Sequence, residues 1–496
     1  MRLKIIFSAA FILIINLFSG YSQVDTLTLT LNDALEMAQA RSSDALIAKQ
    51  NFRINYWQYR SFKADYLPSV VLNAGQLPYF SRSFESVLQP DGTVKNINVT
   101  SGEYQAIMTI NEKVGFTGGS VFVRSQLYRT DNYFTDSTAT SFRAVPITIG
   151  YSQPIFQYNE YRWARKLEPL DYERAKRKYM EDLEQISITT INHFFNLLQA
   201  QIEVGIAKKN LNNYDTLFKI AKGRYQLGKI AENELLQLEL NFLQAKASVD
   251  NASLNYENML FRLKSHLRIK NAATIQLLPP AKTRHDVINA GQAVDEARKN
   301  SSASISFQER LVTAESQLNR AKMDGRFDAN LYVEYGLNQS AATIPDAYKN
   351  PDEFQQLNFG MTIPILDWGR ARGQIKVQES NLELEQTSVE QEIIDFEQNI
   401  FLNVMQFNMQ KNQLFIAAKA DTVAQKRYDV TQKRYMIGQV NDVLELNNAQ
   451  IDNDNARMGY YSALRSYWLN YYQLRKLTLY DFFDKKMLIF DARQIL

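Results

Sequence analysis

Residues 224–234 read RYQLGKIAENE, and residues 434–442 read RYMIGQVND. Each stretch opens on Arg-Tyr, sets a glycine four residues after the arginine and interrupts a long proline-free region. Arg224, Tyr225 and Gly228 precede Arg434, Tyr435 and Gly438 by 210 positions. None of the 11 prolines lies between Pro169 and Pro279, or after Pro364. Both regions are rich in Leu, Ala, Gln, Glu, Lys and Arg, which favour helix. Working outward from the two glycines, one helix covers about 160–226 and another about 366–436, each roughly 100 Å long at 1.5 Å per residue. Glycine tolerates positive φ beyond a helix C-terminus. Gly228 and Gly438 therefore turn the chain into return helices over about 231–268 and 441–478, giving two long antiparallel hairpins.

Ile188, Ile191, Phe195, Leu198 and Ile202 form a heptad seam, and Leu183, Ile186, Phe194 and Leu197 run beside it. Two seams on one helix predict neighbours on two sides, as in a ring of helices; a broad core stripe in an ordinary bundle has the same periodicity. The proline-containing segments differ. VPITIGYSQ (145–153), NLYVEYGL (330–337) and LNFGMTIPI (357–365) alternate apolar with polar or small residues. That is the period of a strand, at a length that crosses an outer membrane when tilted. A half-buried strand of a soluble sheet alternates in the same way. The leader sequence, the 27 Tyr and 28 Phe, and the flanking helices favour the membrane reading.

The repeat extends beyond the turns. Pro154-Ile155-Phe156 matches Pro364-Ile365-Leu366 at the same offset, as do Leu254 and Leu464, Phe261 and Tyr471, and Leu267 and Leu477. Upstream, ALEMAQARSS (34–43) resembles AVDEARKNSS (293–302), but at an offset of 259. The first copy therefore carries an insertion of about 49 residues between about 68 and 154, as longer loops or an extra hairpin. It holds QPDGTVKN, GFTGGS and TDNYFTDSTATS as loop material, and alternating stretches at about 104–111 and 119–128. About four spanning strands per chain cannot close a barrel, since the smallest need about eight. Three chains would supply about 12 and leave no edge.

Composition narrows the function. Arg2 and Lys4 precede the apolar run 5–18, with small Gly20 and Ser22 after it, so 1–22 is a signal peptide. The run is shorter than the ~20 residues of a spanning helix. With no cysteine, an N-terminal lipid anchor, disulfides and Cys-based zinc sites are excluded. A formal charge of +3 gives no support for nucleic-acid binding. The only histidines are His193, His266 and His285, without ligand-like spacing, and no nucleotide or metalloprotease motif occurs. No enzyme activity, cofactor or metal is expected.

The order, duplication and spacing of these features resemble the TolC family of outer-membrane efflux proteins of Gram-negative bacteria, over nearly the whole mature chain. LTLNDALEMAQA (29–40), LPSVVL (67–72), SQPIF (152–156), TIPILDWGRARGQI (362–375) and the two Arg-Tyr-x-x-Gly turns carry the resemblance. It implies a mainly α fold with membrane β: a homotrimer with a 12-stranded outer-membrane β-barrel above a periplasmic α-barrel of long antiparallel coiled-coil helices. The structural repeats would be 23–259 and 260–496. Strands would fall at about 69–153 and 328–365, and barrel helices at about 43–66, 160–268, 302–326 and 366–478. An equatorial belt would take about 23–42, 269–301 and 479–496.

Such proteins are passive exit ducts, set in outer-membrane lipid and docked to a periplasmic adaptor (membrane fusion) protein and an inner-membrane pump of RND or ABC type. The resemblance places Arg224, Tyr225, Gly228, Arg434, Tyr435 and Gly438 at the periplasmic tips that meet the adaptor. Glu232, Glu234, Asn441, Asp442 and Glu445 are the candidate polar residues of the gate. The second tip departs from the family pattern at Val440, where a basic residue can occur. The outer-membrane component of a type I protein secretion system would share these features. A soluble periplasmic coiled-coil protein, structural or adhesive, would share the leader and helices but would not need the duplicated strands.

Overall fold

The computed structural model describes residues 27–74, 79–134, 137–270, 275–280, 286–437, 439 and 443–489, so the leader expected over 1–22 lies outside the described residues. The described chain runs β1 (Leu27–Leu29), α1 (Leu31–Arg41), α2 (Ser43–Ala64), β2 (Ser69–Asn73), β3 (Tyr79–Leu88), β4 (Val94–Val114), β5 (Gly119–Tyr133), β6 (Thr138–Ile155), α3 (Glu160–Gln226), α4 (Glu232–His266) and β7 (Ile275–Leu277). It continues through α5 (Ala290–Asn300), α6 (Ser302–Asp324), β8 (Asp328–Ala341), α7 (Ile344–Ala347), β9 (Asp352–Thr362), α8 (Arg370–Met436), α9 (Val443–Thr478), β10 (Tyr480–Asp481) and β11 (Lys486–Met487).

The two long helices, α3 and α8, are 67 residues each. Side chains define where they start. Asn159 accepts the N–H of Arg162 through Oδ1 at 3.0 Å, and Asp367 accepts the N–H groups of Gly369 and Ala371 at 2.9 Å each. These bonds satisfy donors that a helix start otherwise leaves free. The helix α3 continues through Pro169, which has no N–H to offer the carbonyl one turn back.

One unit comprises Phe52–Lys176 and Ser302–Asp395. Its sheet is antiparallel, in the order β2-β4-β5-β6-β8-β9, with β3 also paired to β4. Because β2 and β3 occupy successive parts of β4, the sheet has six strand positions where about four were expected. The difference lies in the first repeat, whose insertion forms strands that the composition alone left between loop and hairpin. Pro146 sits in β6 where the register to β8 shifts between Ala144 and Ile147, and a bulge tolerates the missing donor. The helices of this unit pack through stacked Tyr59 and Tyr172 and through ion pairs of Arg174 with Glu309 and of Arg310 with Glu385 and Glu392.

The other unit comprises Met1–Asn51, Arg177–Ser301 and Phe396–Leu496. Its core includes Ile191, Phe194, Phe195, Leu197 and Leu198 from α3, all fully buried, so both seams of this helix find neighbours. Parallel β1 and β7 pair from Leu27–Ile275 to Leu29–Leu277. The guanidinium of Arg475 donates to Glu184 and to Asp481 at 3.0 Å each, and the Tyr471 hydroxyl donates to Asp481 at 2.6 Å. This pairing of opposite charges offsets part of the cost of burying them, although Glu184 Oε2 and Arg475 Nε have no hydrogen-bond partner among the described residues.

Candidate functional site at the hairpin tips

At the first turn Gly228 has φ +67, the left-handed region. Its N–H donates to the carbonyl of Tyr225, and the N–H of Lys229 donates to that of Arg224, both at 2.9 Å. Together they make a Schellman stop, which returns two orphan carbonyls of α3 to partners. The second turn repeats the longer bond, with the N–H of Gln439 donating to the carbonyl of Arg434 at 3.0 Å. The positions Gly438, Val440, Asn441 and Asp442 lie outside the described residues.

The two hairpins meet here. Arg224 donates through Nη2 to the carbonyls of Tyr435 and Met436 at 3.4 Å each, and its guanidinium lies 5.6 Å from the Tyr435 ring. A cation on the last carbonyls of α8 also suits that helix's negative end. Tyr435 is 3% exposed and packs with Leu217, Ala221, Leu238, Tyr428 and Val443. Burial pushes its hydroxyl above the ordinary 10.0, Arg224 opposes the shift and Glu234 adds to it. Tyr225, its counterpart in the first motif, is 41% exposed. Equal sequence motifs thus occupy unequal environments.

Above the tip a polar ladder joins the hairpins. Asn213 donates to the hydroxyl of Tyr428, and the hydroxyl of Tyr214 donates to Asn447, both at 2.9 Å. Gln450 donates to Asn210 at 2.6 Å, and Asn210 donates to Asp454 at 2.8 Å. These rungs escaped sequence reasoning because the partners are more than 200 residues apart, and no local spacing marks a lone Asn as one half of a pair.

The acidic gate candidates have plainer surroundings. Glu232 and Glu234 occupy the first turn of α4, where carboxylates complement the positive helix end. Glu445 lies 4.0 Å from Arg434, with both side chains nearly half exposed, so this pair contributes at most about 1 kcal/mol. Away from the tip, folding brings His193 and His266 together, with ring centroids 4.9 Å apart, and Thr190 hydrogen-bonds the Nε2 of His266 at 2.9 Å. No group of three or more metal-ligating side chains occurs among the described residues. His285 is outside them.

Two apolar stripes remain uncovered in the single chain. On α8 and the first residue after it, Leu402, Met409, Ile416, Val423, Val430 and Ile437 recur every seventh residue, and all are exposed. On α4, Leu236, Leu240, Leu243, Leu254 and Phe261 are exposed along one face. Leu464 and Tyr471, the α9 counterparts of Leu254 and Phe261, are buried.

Comparison with known proteins agrees with this architecture. The family described as "Outer membrane efflux protein" matches residues 119–267 and 281–478. No curated protein matches the chain. Among solved structures, the Campylobacter jejuni CmeC outer membrane channel superposes with a TM-score of 0.64 at 16% identity, covering 94% of this chain and 88% of that one. A membrane protein from Pseudomonas aeruginosa gives 0.64 at 13%, covering 93% of each chain. The open state of the Neisseria gonorrhoeae MtrE outer membrane channel gives 0.61 at 14%, covering 95% of each.

Proposed function

The chain belongs to the outer membrane efflux protein family and is an outer-membrane efflux channel, and from that premise we propose that it works as a homotrimeric exit duct gated at its hairpin tips. The strands sit in the outer membrane and the helices extend into the periplasm. A periplasmic adaptor docks on the two turns, and an inner-membrane pump supplies the energy and chooses the cargo, favoured here as small molecules.

The uncovered stripes support the homotrimer. An exposed apolar heptad is a coiled-coil seam without its partner, and the matching stripe on α4 suits it as the contact from the next copy.

One observation carries the gating assignment. The seam between hairpins within a chain carries polar rungs and the Arg224 contact beside one apolar cluster around Leu217, Leu238 and Tyr435, whereas the uncovered stripes are apolar throughout. Hydrogen bonds can be exchanged for water at little net cost, but an apolar seam loses its burial when it separates. The opening motion therefore runs along this mixed seam, with the second hairpin sliding on the first so that the polar rungs exchange while the small apolar cluster stays in contact, and the seams between copies stay closed.

The absence of native cysteine allows a direct test. With Tyr214→Cys and Asn447→Cys joined by a cleavable bifunctional thiol reagent, export in an efflux-deficient strain should fall to background and recover on cleavage. Undiminished export with the link complete would refute opening along this seam.

A further inference from the structure

In the second repeat, β8 and β9 pair directly with each other. Their counterparts in the first repeat follow from the two offsets. The offset of 259 carries the start of β8, Asp328, to Ser69, where β2 begins. The offset of 210 carries β9 to residues 142–152, within β6. These counterparts do not touch, because β4 and β5 lie between them in the order β2-β4-β5-β6. The insertion is thus a complete hairpin laid into the sheet, hydrogen-bonded to its neighbours on both sides.

The inserted strands carry the same two-sided chemistry as the others. Register partners Val70, Ile110, Val123, Ile149 and Tyr335 form one unbroken row through β2, β4, β5, β6 and β8. Adjacent residues on the opposite face pair as Thr109, Arg124, Thr148 and Gly336. On the first face Met108 is 45% exposed and Phe359 of β9 is 57% exposed. Apolar residues toward one side and polar or small ones toward the other suit acyl chains outside and water inside. Strands β2 and β9 end the pairing order. Six antiparallel positions are an even number, so β9 of one copy meets β2 of the next in antiparallel sense.

We propose that β4 and β5 are membrane-spanning wall strands, so that each chain contributes six spans and the closed trimer is a barrel of roughly 18 strands facing lipid with the Ile110–Val123–Ile149 row. The strand count rests on the homotrimer proposed above. With strands about 4.8 Å apart and tilted about 40°, the barrel radius is about 18 Å for 18 strands and about 12 Å for 12.

A spin label at Ile149→Cys is unique in a chain without cysteine. In trimers reconstituted into phospholipid bilayers, backbone-to-backbone distances at this position should be about 31 Å, against about 21 Å for 12 strands. Labels at Met108→Cys and Thr109→Cys, neighbours on β4, should be relaxed by oxygen and by a water-soluble nickel chelate respectively. A distance near the shorter value, or a Met108→Cys label reached by the chelate, would overturn the six-span wall while leaving the trimer intact. Absence of any distance between copies would overturn the trimer, and the 18-strand count with it.

Discussion

Gly228 illustrates how one residue sets the end of a helix. A Cβ at this position would meet no atom within 4 Å, so only its φ of +67 demands glycine. Left-handed backbone costs an L-residue roughly 1–2 kcal/mol, and a β-branched one more. Gly228→Val should therefore distort the turn and impair export, with trimer assembly largely retained, whereas Gly228→Asn should be close to wild type because Asn tolerates this region. Export assays in a sensitised strain, with trimer levels read on native gels, check both; full export by the valine variant would refute the tip assignment. The glycine was legible in the sequence because its role is local. The unequal burial of Tyr225 and Tyr435 was not, since it depends on which hairpin face the rest of the chain covers.

At the scale of elements, α3 and α4 meet through a titratable pair. Burial holds His193 and His266 below the ordinary 6.5; Arg262 lowers His193 further, His193 lowers His266, and Asp44 counteracts both shifts. With folded pKa values depressed, the native state binds fewer protons than the unfolded chain in acid. Linkage then makes this contribution to stability complete above pH 6.5 and progressively lost as pH falls through the folded values. The melting temperature of the detergent-solubilised protein should drop between pH 7.5 and 5.5, and a His193→Gln/His266→Gln variant should drop less. An equal drop in both would show that the pair is not the source. Helix boundaries were mostly legible at this scale: proline-free stretches and terminal glycines anticipated α3, α4, α8 and α9 to within a few residues. The second long helix starts at Arg370 rather than about 366, because Asp367 and Gly369 form the turn that opens it.

For the whole molecule, the sheet edges govern assembly. Unpaired backbone groups of β2 and β9 cannot remain exposed to lipid, so closure requires further copies. Native mass spectrometry of the detergent-extracted protein should report three chains, and a stable monomer as the dominant species would contradict closure. The sequence by itself determined the duplicated hairpins, the helical turns and the alternating strands, because helix propensity, positive φ and a two-residue period act over a few neighbours. Only the tertiary structure decided that the inserted segment lies in the sheet between β2 and β6, and that polar rungs fall on the seam within the chain while apolar heptads stay uncovered. The first turns on strand partners as far apart as Ser69 and Asn111, the second on partners more than 200 residues away or on another copy. A residue's spacing to its neighbours carries no record of which distant surface will cover it.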